Sequence, residues 1–336
     1  MLGICIITAA AWGLLMTKVR WVVLIVAVAV FALPSTALAD WPERPVHFIV
    51  PFPAGGASDV ATRLVSNYVS GTLGRRIVVE NRSGANGNIG IEYAAKSAPD
   101  GYTVLVMSQE LCSNPHVYKM SVDPLKALMP VVQISRQPIL LAAHPSLGAG
   151  TLPELAALAK QQPGLTFGTG SGIGSSQAMV ALWYARLAGV TLKQVPYRGG
   201  APAITDLIAG HVKLGSLGST PLIPHYQAGT LKLLAQSTAT RAPSLSKVPT
   251  FREEGFSELV LDQWIGVFVP TGTPEAIAER LNAAVNVALR DEGVRKGLAD
   301  QGQEPVGGTA ETYARFVREE SEKFGRLVKE LNITIE

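Results

Sequence analysis

Three glycine-rich turns carry the residues best able to do chemistry in this 336-residue chain. The first is Pro51-Phe52-Pro53-Ala54-Gly55-Gly56-Ala57-Ser58-Asp59, which follows the apolar run Phe48–Val50. Apolar residues then return at helical spacing (Val60, Ala61, Leu64, Val65), so a strand hands over to a helix at the glycines. The first N–H groups of such a helix lack intrahelical partners and sit at the positive end of its dipole, which suits an anion. Gly55 and Gly56 let the backbone approach a carboxylate or phosphate closely. Read as structure alone, the same stretch is a tight turn with Ser58 or Asp59 as N-cap.

The second turn, Phe167-Gly168-Thr169-Gly170-Ser171-Gly172-Ile173-Gly174-Ser175-Ser176, again lies between a strand pattern and a helix pattern. Its hydroxyls can donate to an anion and its amides can form a concave nest; alternatively it is a flexible turn with Ser175 as N-cap. A third element, Val195-Pro196-Tyr197-Arg198-Gly199-Gly200-Ala201, also places glycines before a helix. Arg198 there could face a carboxylate or simply lie on the surface. Two such turns in different parts of the chain favour a two-sided anion clamp.

Patterns for catalysis fail one by one. The chain has no G-x-x-x-x-G-K-[ST], and Gly168, Gly170, Gly172 and Gly174 do not fit G-x-G-x-x-G. No serine stands in G-x-S-x-G. His47, His116, His144, His211 and His225 are scattered and show no metal-ligand spacing. The chain reads as built to hold a molecule rather than transform it, with no cofactor and no metal required.

The elements that must position these turns alternate as short β-branched strands and amphipathic helices. Strand patterns fall at Phe48–Val50, Ile77–Val79, Thr103–Val106, Val131–Ile134, Ile139–Ala142, Leu165–Phe167, Lys193–Val195, Val212–Leu214, Leu231–Ala235 and Gly266–Val269. Helix patterns fall at Ser58–Val69, Ile89–Ala95, Leu152–Lys160, Ser176–Ala188, Ala201–Ala209, Pro274–Leu289 and Ala310–Lys329. This alternation predicts an α/β fold of mostly parallel sheets flanked by helices. Irregular runs near His144–Gly148 and Ser237–Ser244 suggest two lobes, residues 40–142 with 238–336 and residues 143–237, with a ligand cleft between them.

Residues 1–39 read as an export leader. Lys18 and Arg20 precede the apolar run Trp21–Leu33, and Ala37-Leu38-Ala39 offers a cleavage site before Asp40. Residues 1–15 sit oddly ahead of it, and Met16 makes a more natural start. The expected location is therefore the periplasm. Lys18 and Arg20 are the leader's only charged residues, so its removal lowers the net charge from +3 by two, to about +1, which argues against a nucleic-acid partner. Only Cys112 remains after Asp40, which leaves no internal disulfide and puts stability on the core.

An ordered series of landmarks resembles the solute receptors of tripartite tricarboxylate transporters, the Bug family of periplasmic binding proteins. The series runs Trp41-Pro42-Glu43-Arg44-Pro45, Pro51–Asp59, Asn81-Arg82-Ser83-Gly84-Ala85-Asn86-Gly87-Asn88-Ile89-Gly90 and Ala98-Pro99-Asp100-Gly101-Tyr102-Thr103. It continues with Val195–Ala203, Val248-Pro249-Thr250, Glu254-Gly255 and Pro270-Thr271-Gly272-Thr273-Pro274, and so covers essentially all the chain after the leader.

The resemblance implies a two-lobed Venus-flytrap fold of the type II periplasmic-binding-protein kind. It implies a monomer that closes on a small organic carboxylate and delivers it to the membrane subunits of a transporter. The expected ligand contacts are Phe52, Pro53, Ala54, Gly55, Gly56, Ser58 and Asp59 from the first turn. The second turn supplies Thr169, Ser171, Gly172, Gly174, Ser175 and Ser176, and the third supplies Tyr197, Gly199 and Gly200. Asn86 and, from Leu217-Gly218-Ser219-Thr220, Ser219 complete the set.

Where many relatives carry a histidine and a glutamate after the serine pair, this chain has Ala178 and Leu182, and Leu217 stands where a polar residue is common. These apolar replacements predict a mono- or dicarboxylate with an aliphatic or aromatic body, ahead of citrate, aspartate or glutamate. Two other readings compete: a receptor that signals to a membrane sensor, and an exported hydrolase using Ser171 or Ser175, which would need a nearby base.

Overall fold

The structure is a computed structural model that describes residues 41–334. The leader and its cleavage site lie outside the described residues. In chain order the elements are β1 (Val46–Val50), α1 (Ala57–Leu73), β2 (Ile77–Asn81), α2 (Asn88–Ala95), β3 (Thr103–Ser108), α3 (Glu110–Val117), α4 (Pro124–Ala127) and β4 (Leu128–Gln137). There follow β5 (Ile139–Ala143), α5 (Leu152–Gln161), β6 (Leu165–Thr169), α6 (Ser176–Leu187), β7 (Leu192–Pro196), α7 (Gly200–Ile208), β8 (Leu214–Gly218), α8 (Ser219–Gln227) and β9 (Lys232–Gln236). The chain ends with β10 (Gln263–Pro270), α9 (Glu275–Arg290), α10 (Glu292–Asp300), β11 (Glu304–Gly307) and α11 (Ala310–Glu330).

The strands form two sheets, ordered β11-β4-β10-β3-β1-β2 and β7-β6-β8-β5-β9. Each is the core of one lobe of an α/β fold. The sheets are mixed rather than mostly parallel. β1, β2 and β3 run parallel, as do β6, β7 and β8, but β4, β5, β9, β10 and β11 pair antiparallel. The reason is topological: β4 leads directly into β5 of the other sheet, and the chain returns through β9 into β10. The strand that receives each crossing, β10 in the first sheet and β5 in the second, runs against the helix-connected strands, whereas β4 and β9 share their direction.

The first crossing falls at Pro138, earlier than the boundary at 142/143 that the sequence suggested. Ile139–Ala143 is a fully buried inner strand of the second sheet, with Ile139 opposite Gly218. Its apolar run carries no mark of which sheet it joins. β1 (Val-His-Phe-Ile-Val) is likewise buried almost throughout, as expected where helices cover both faces of a sheet.

Four helices and one strand escape the periodicity reading. α3 contains Pro115 and α8 contains Pro224, which mask their helical pattern. α4 spans only one turn, α10 is short and polar, and β11 is a four-residue edge strand. The long helices behave as their patterns predict: α11 buries Tyr313, Val317, Phe324, Leu327 and Val328 and leaves its charged side to water.

Candidate functional site

The segments that follow the C-terminal ends of β1, β3, β6, β7 and β8 converge between the two sheets. Loops beyond the carboxyl ends of parallel strands are where α/β sheets form their ligand crevices. Here they enclose a cavity of about 190 Å³. Lobe 1 contributes Phe52, Pro53, Ala54, Gly55, Gly56, Ala57 and Ser58 from the first turn, with Ser108 and Gln263. Lobe 2 contributes Gly170, Ser171, Gln177, Gly199, Gly200, Ala201, Pro202, Ile204, Leu217, Gly218 and Pro221. No Asp, Glu, Lys, Arg or His side chain lines it.

The charge of the cavity comes from the backbone. α1 starts from Gly56 and α7 from Gly199, and no side chain caps either one. Both helices therefore present their first N–H groups to the cavity wall, one from each lobe. Gly55 adopts φ +79°, which favours glycine and turns the chain into α1. Its N–H donates to Asp59 Oδ2 at 2.9 Å, so that amide is spent on holding the turn.

Close approach makes the lobe 2 side possible. A Cβ on Gly170 would lie 2.8 Å from both the N and the Cα of Gly200, so only glycine lets the second turn lie against the start of α7. The Gly170 N–H donates to Gln177 Oε1 at 2.8 Å, which locks that turn to α6.

Several expected contact residues support the turns without lining the cavity. Burial pushes the Asp59 carboxyl up, but bonds from Arg63, Gly55 and Asn81 outweigh it and hold the group below its ordinary range. Asp59 thus braces α1 against β2. Thr169 donates to the Ser171 carbonyl at 2.7 Å. The Ser175 hydroxyl caps α6 by accepting from the Ala178 N–H at 3.3 Å. Ser176 accepts from Gln109 Nε2 at 2.5 Å, and Ser219 donates to Gln137 Oε1 at 2.8 Å. Gly174 packs on Val117 of lobe 1.

Asn86, Gly172 and Tyr197 line an adjoining outer groove of about 670 Å³. Phe52, Pro53, Gly170, Ser171 and Gly199 border both spaces. Asn86 Oδ1 accepts from the Gly172 N–H at 2.9 Å and Tyr118 donates to the Ile173 carbonyl at 2.9 Å, so the lobes touch across the groove. Asn86 sits in a left-handed run, Ala85 at φ +47° and Asn86 at φ +53°, that is held by Asn114 through both its side chain and its carbonyl. The Tyr197 hydroxyl is turned away to Asp206 at 2.6 Å, and desolvation with that bond pushes it up to about 12.

Ser108, Gln177 and Gln263 line the cavity and were not anticipated. Ser108 ends β3, a position that the crevice rule alone would flag. Gln263 opens β10, which runs antiparallel to β3, so its first residues lie beside the end of β3; nothing near it in sequence signals this. Behind Ser108, burial pushes the Glu110 carboxyl up, opposed by hydrogen bonds from Ser108 and Gln109. Of the residues that replace polar groups of relatives, Leu217 lines the cavity, Ala178 is buried away from it, and Leu182 packs on the core.

Residues 61–333 match the model of the TctC family, tripartite tricarboxylate transporter family receptor. The chain is 33% identical to protein BugT of Bordetella pertussis over 322 residues, covering 94% of this chain and 98% of BugT. A solved structure of Rpa4515 from R. palustris with adipate superposes with a TM-score of 0.84 at 34% identity, over 88% of this chain and 100% of that one. MatC (Rpa3494) from Rhodopseudomonas palustris with bound malate gives 0.81 at 31% identity, over 86% and 100%. The chain belongs to the tripartite tricarboxylate transporter receptor family, a family of periplasmic solute-binding receptors.

Proposed function

We propose that this protein captures a small organic carboxylate between its lobes and delivers it to the membrane subunits of a tripartite transporter. The observation that carries this reading is the meeting of two uncapped helix N-termini, one from each lobe, in a cavity with no charged side chain. A carboxylate there accepts from the starts of α1 and α7 and from the hydroxyls of Ser58 and Ser171, so its binding draws on both lobes at once. Three or four charge-assisted hydrogen bonds at roughly 1.5–3 kcal/mol each account for much of the roughly 8 kcal/mol of micromolar binding. The adipate and malate bound by the two R. palustris relatives support the ligand class.

None of the five histidines lines the cavity, so Ser171 has no imidazole base there, which disfavours the hydrolase reading. The lobes of this reading are residues 40–138 with 238–336, and residues 139–237, in an exported monomer whose mature chain begins near Asp40. Calorimetric titration with a panel of mono-, di- and tricarboxylates is the test. Micromolar binding of at least one member is expected, and no heat from any member sinks the proposal. N-terminal sequencing of exported protein checks the start, and exported chains that retain Trp21–Leu33 would refute it.

A further inference from the structure

Two glutamines line the cavity, Gln177 from lobe 2 and Gln263 from lobe 1, and both are buried. A glutamine amide offers an acceptor at one end and two donors at the other, and what holds one end decides which end meets a ligand. Here N–H groups of the protein hold the oxygen in both residues.

Gln177 Oε1 accepts from the Gly170 N–H at 2.8 Å. A backbone N–H can only donate, so turning the amide over would set two donors against each other. Gln177 Nε2 is the end left over, and it has no partner among the described residues. Gln263 is oriented at one remove. At the start of α8 the Thr220 N–H donates to Gln137 Oε1 at 3.2 Å, which fixes the Gln137 amide in the same way. Gln137 stands outside the ligand cavity, directly across the strand pair from Gln263, and its Nε2 donates to Gln263 Oε1 at 3.1 Å. A Cβ on Gly218 would collide with both ends of this contact, so glycine is what lets the pair close. Gln263 Nε2 is left over in turn, again with no partner among the described residues. Neither Nε2 is sealed off from solvent, and the ligand cavity is the space both residues border.

We propose that Gln177 and Gln263 set the specificity of this site, each turning amide N–H donors toward the ligand, so that it takes a carboxylate bearing a second carboxylate or a keto oxygen and rejects the amino-substituted counterpart. The inference rests on the carboxylate-receptor reading and narrows it. The starts of α1 and α7 take the first carboxylate, and the two amides add donors that no protein group uses. An ammonium meets the reverse. Both glutamine oxygens are spent inside the wall, and no carboxylate lines the cavity to pair with it. Burying a charge without a partner is costly, so an amino group on the ligand weakens binding.

The test titrates adipate, hexanoate and 2-aminoadipate into the wild-type protein and into Gln177→Glu and Gln263→Glu, with melting curves to confirm folding. Each substitution keeps Oε1 for its internal donor and puts an anionic oxygen in place of Nε2. Wild type is expected to bind adipate roughly tenfold or more tightly than either of the other two. In each variant the ratio of 2-aminoadipate to adipate affinity is expected to rise roughly tenfold or more, because an acceptor now faces the ammonium. A variant that does not fold is replaced by Gln177→Met or Gln263→Met. That change keeps the length of the side chain without its donors, and should bring adipate to within roughly threefold of hexanoate. A wild type that binds hexanoate or 2-aminoadipate as tightly as adipate overturns the inference and leaves the receptor reading intact. An unchanged ratio in either folded variant overturns it too. If wild type ignores all three, the tightest carboxylate of the wider panel and its amino-substituted counterpart take their place. Binding of no panel member removes the receptor reading itself, and this inference with it.

Discussion

Two cavities lie near the Gln137–Gln263 pair, and they differ in where their charge resides. The proposed ligand cavity, about 190 Å³, has Gln263 in its wall and no charged side chain. The second, about 310 Å³, has Gln137 in its wall along with Arg136, Arg241, Asp262 and Glu304, and lies where the chain crosses between the sheets. Its charges serve each other or nearby groups. Arg136 Nε meets Glu304 Oε2 at 2.8 Å, and Arg241 is committed to Glu253 at 2.9 Å and to the Ser246 carbonyl. A cation already paired offers an anion little, whereas an uncapped helix end is a donor set still free. This contrast supports the proposal that the apolar-looking cavity takes the anion.

Replacing Gly170 with Val strikes the ligand cavity hardest, because the new side chain must push the second turn off the backbone of Gly200. Affinity for the best carboxylate is expected to fall at least 100-fold, about 3 kcal/mol. Calorimetry that finds near-wild-type binding would mean the junction of the second turn with α7 does not shape the site.

Asp262 tests the crossing cavity. Its Oδ1 is buried without a hydrogen-bond partner, and burial, aided by Glu320 and Glu304 and opposed by Arg136 and Lys323, pushes the carboxyl up to about 6 from 3.8. A raised carboxyl binds its proton more tightly in the native state. The penalty is thus absent below the unfolded value near 3.8, grows as pH rises toward about 6, and is complete above it. Asp262→Asn should therefore stabilise the fold at pH 7.5 by up to about 3 kcal/mol and do little at pH 3.5. Urea titrations at both pH values check this, and equal effects at the two would contradict it.

Ser58→Ala removes one hydroxyl of the ligand cavity and keeps the amides at the start of α1. Affinity should fall roughly fivefold, about 1 kcal/mol. A loss as large as that of Gly170→Val would shift the weight of recognition from backbone to side chains. The smallest effect belongs to Arg241→Gln, which should leave carboxylate affinity within about twofold, as expected for an exposed, locally paired cation. A large loss there would make the crossing cavity part of the binding site.

The sequence by itself determined the turns and their neighbours. Pro-x-Pro, paired glycines and the switch from strand to helix spacing are local signals, so Phe52–Ser58, Gly199 and Gly200 were legible as strand-to-helix turns, and they line the cavity. The ordered landmarks carried the family and the two-lobed fold. Only the tertiary structure decided which hydroxyls face the cavity. Ser175 and Ser171 look alike in sequence, yet one caps α6 and the other lines the wall, because the helix start consumes whichever oxygen stands at its N-cap. Sequence could not place Gln263 beside Ser108, or Gln137 over the start of α8. The first meeting depends on antiparallel register between strands more than a hundred residues apart and the second on the packing of one sheet's strand against the other lobe's helix, and both are set by whole sheets rather than by neighbouring residues.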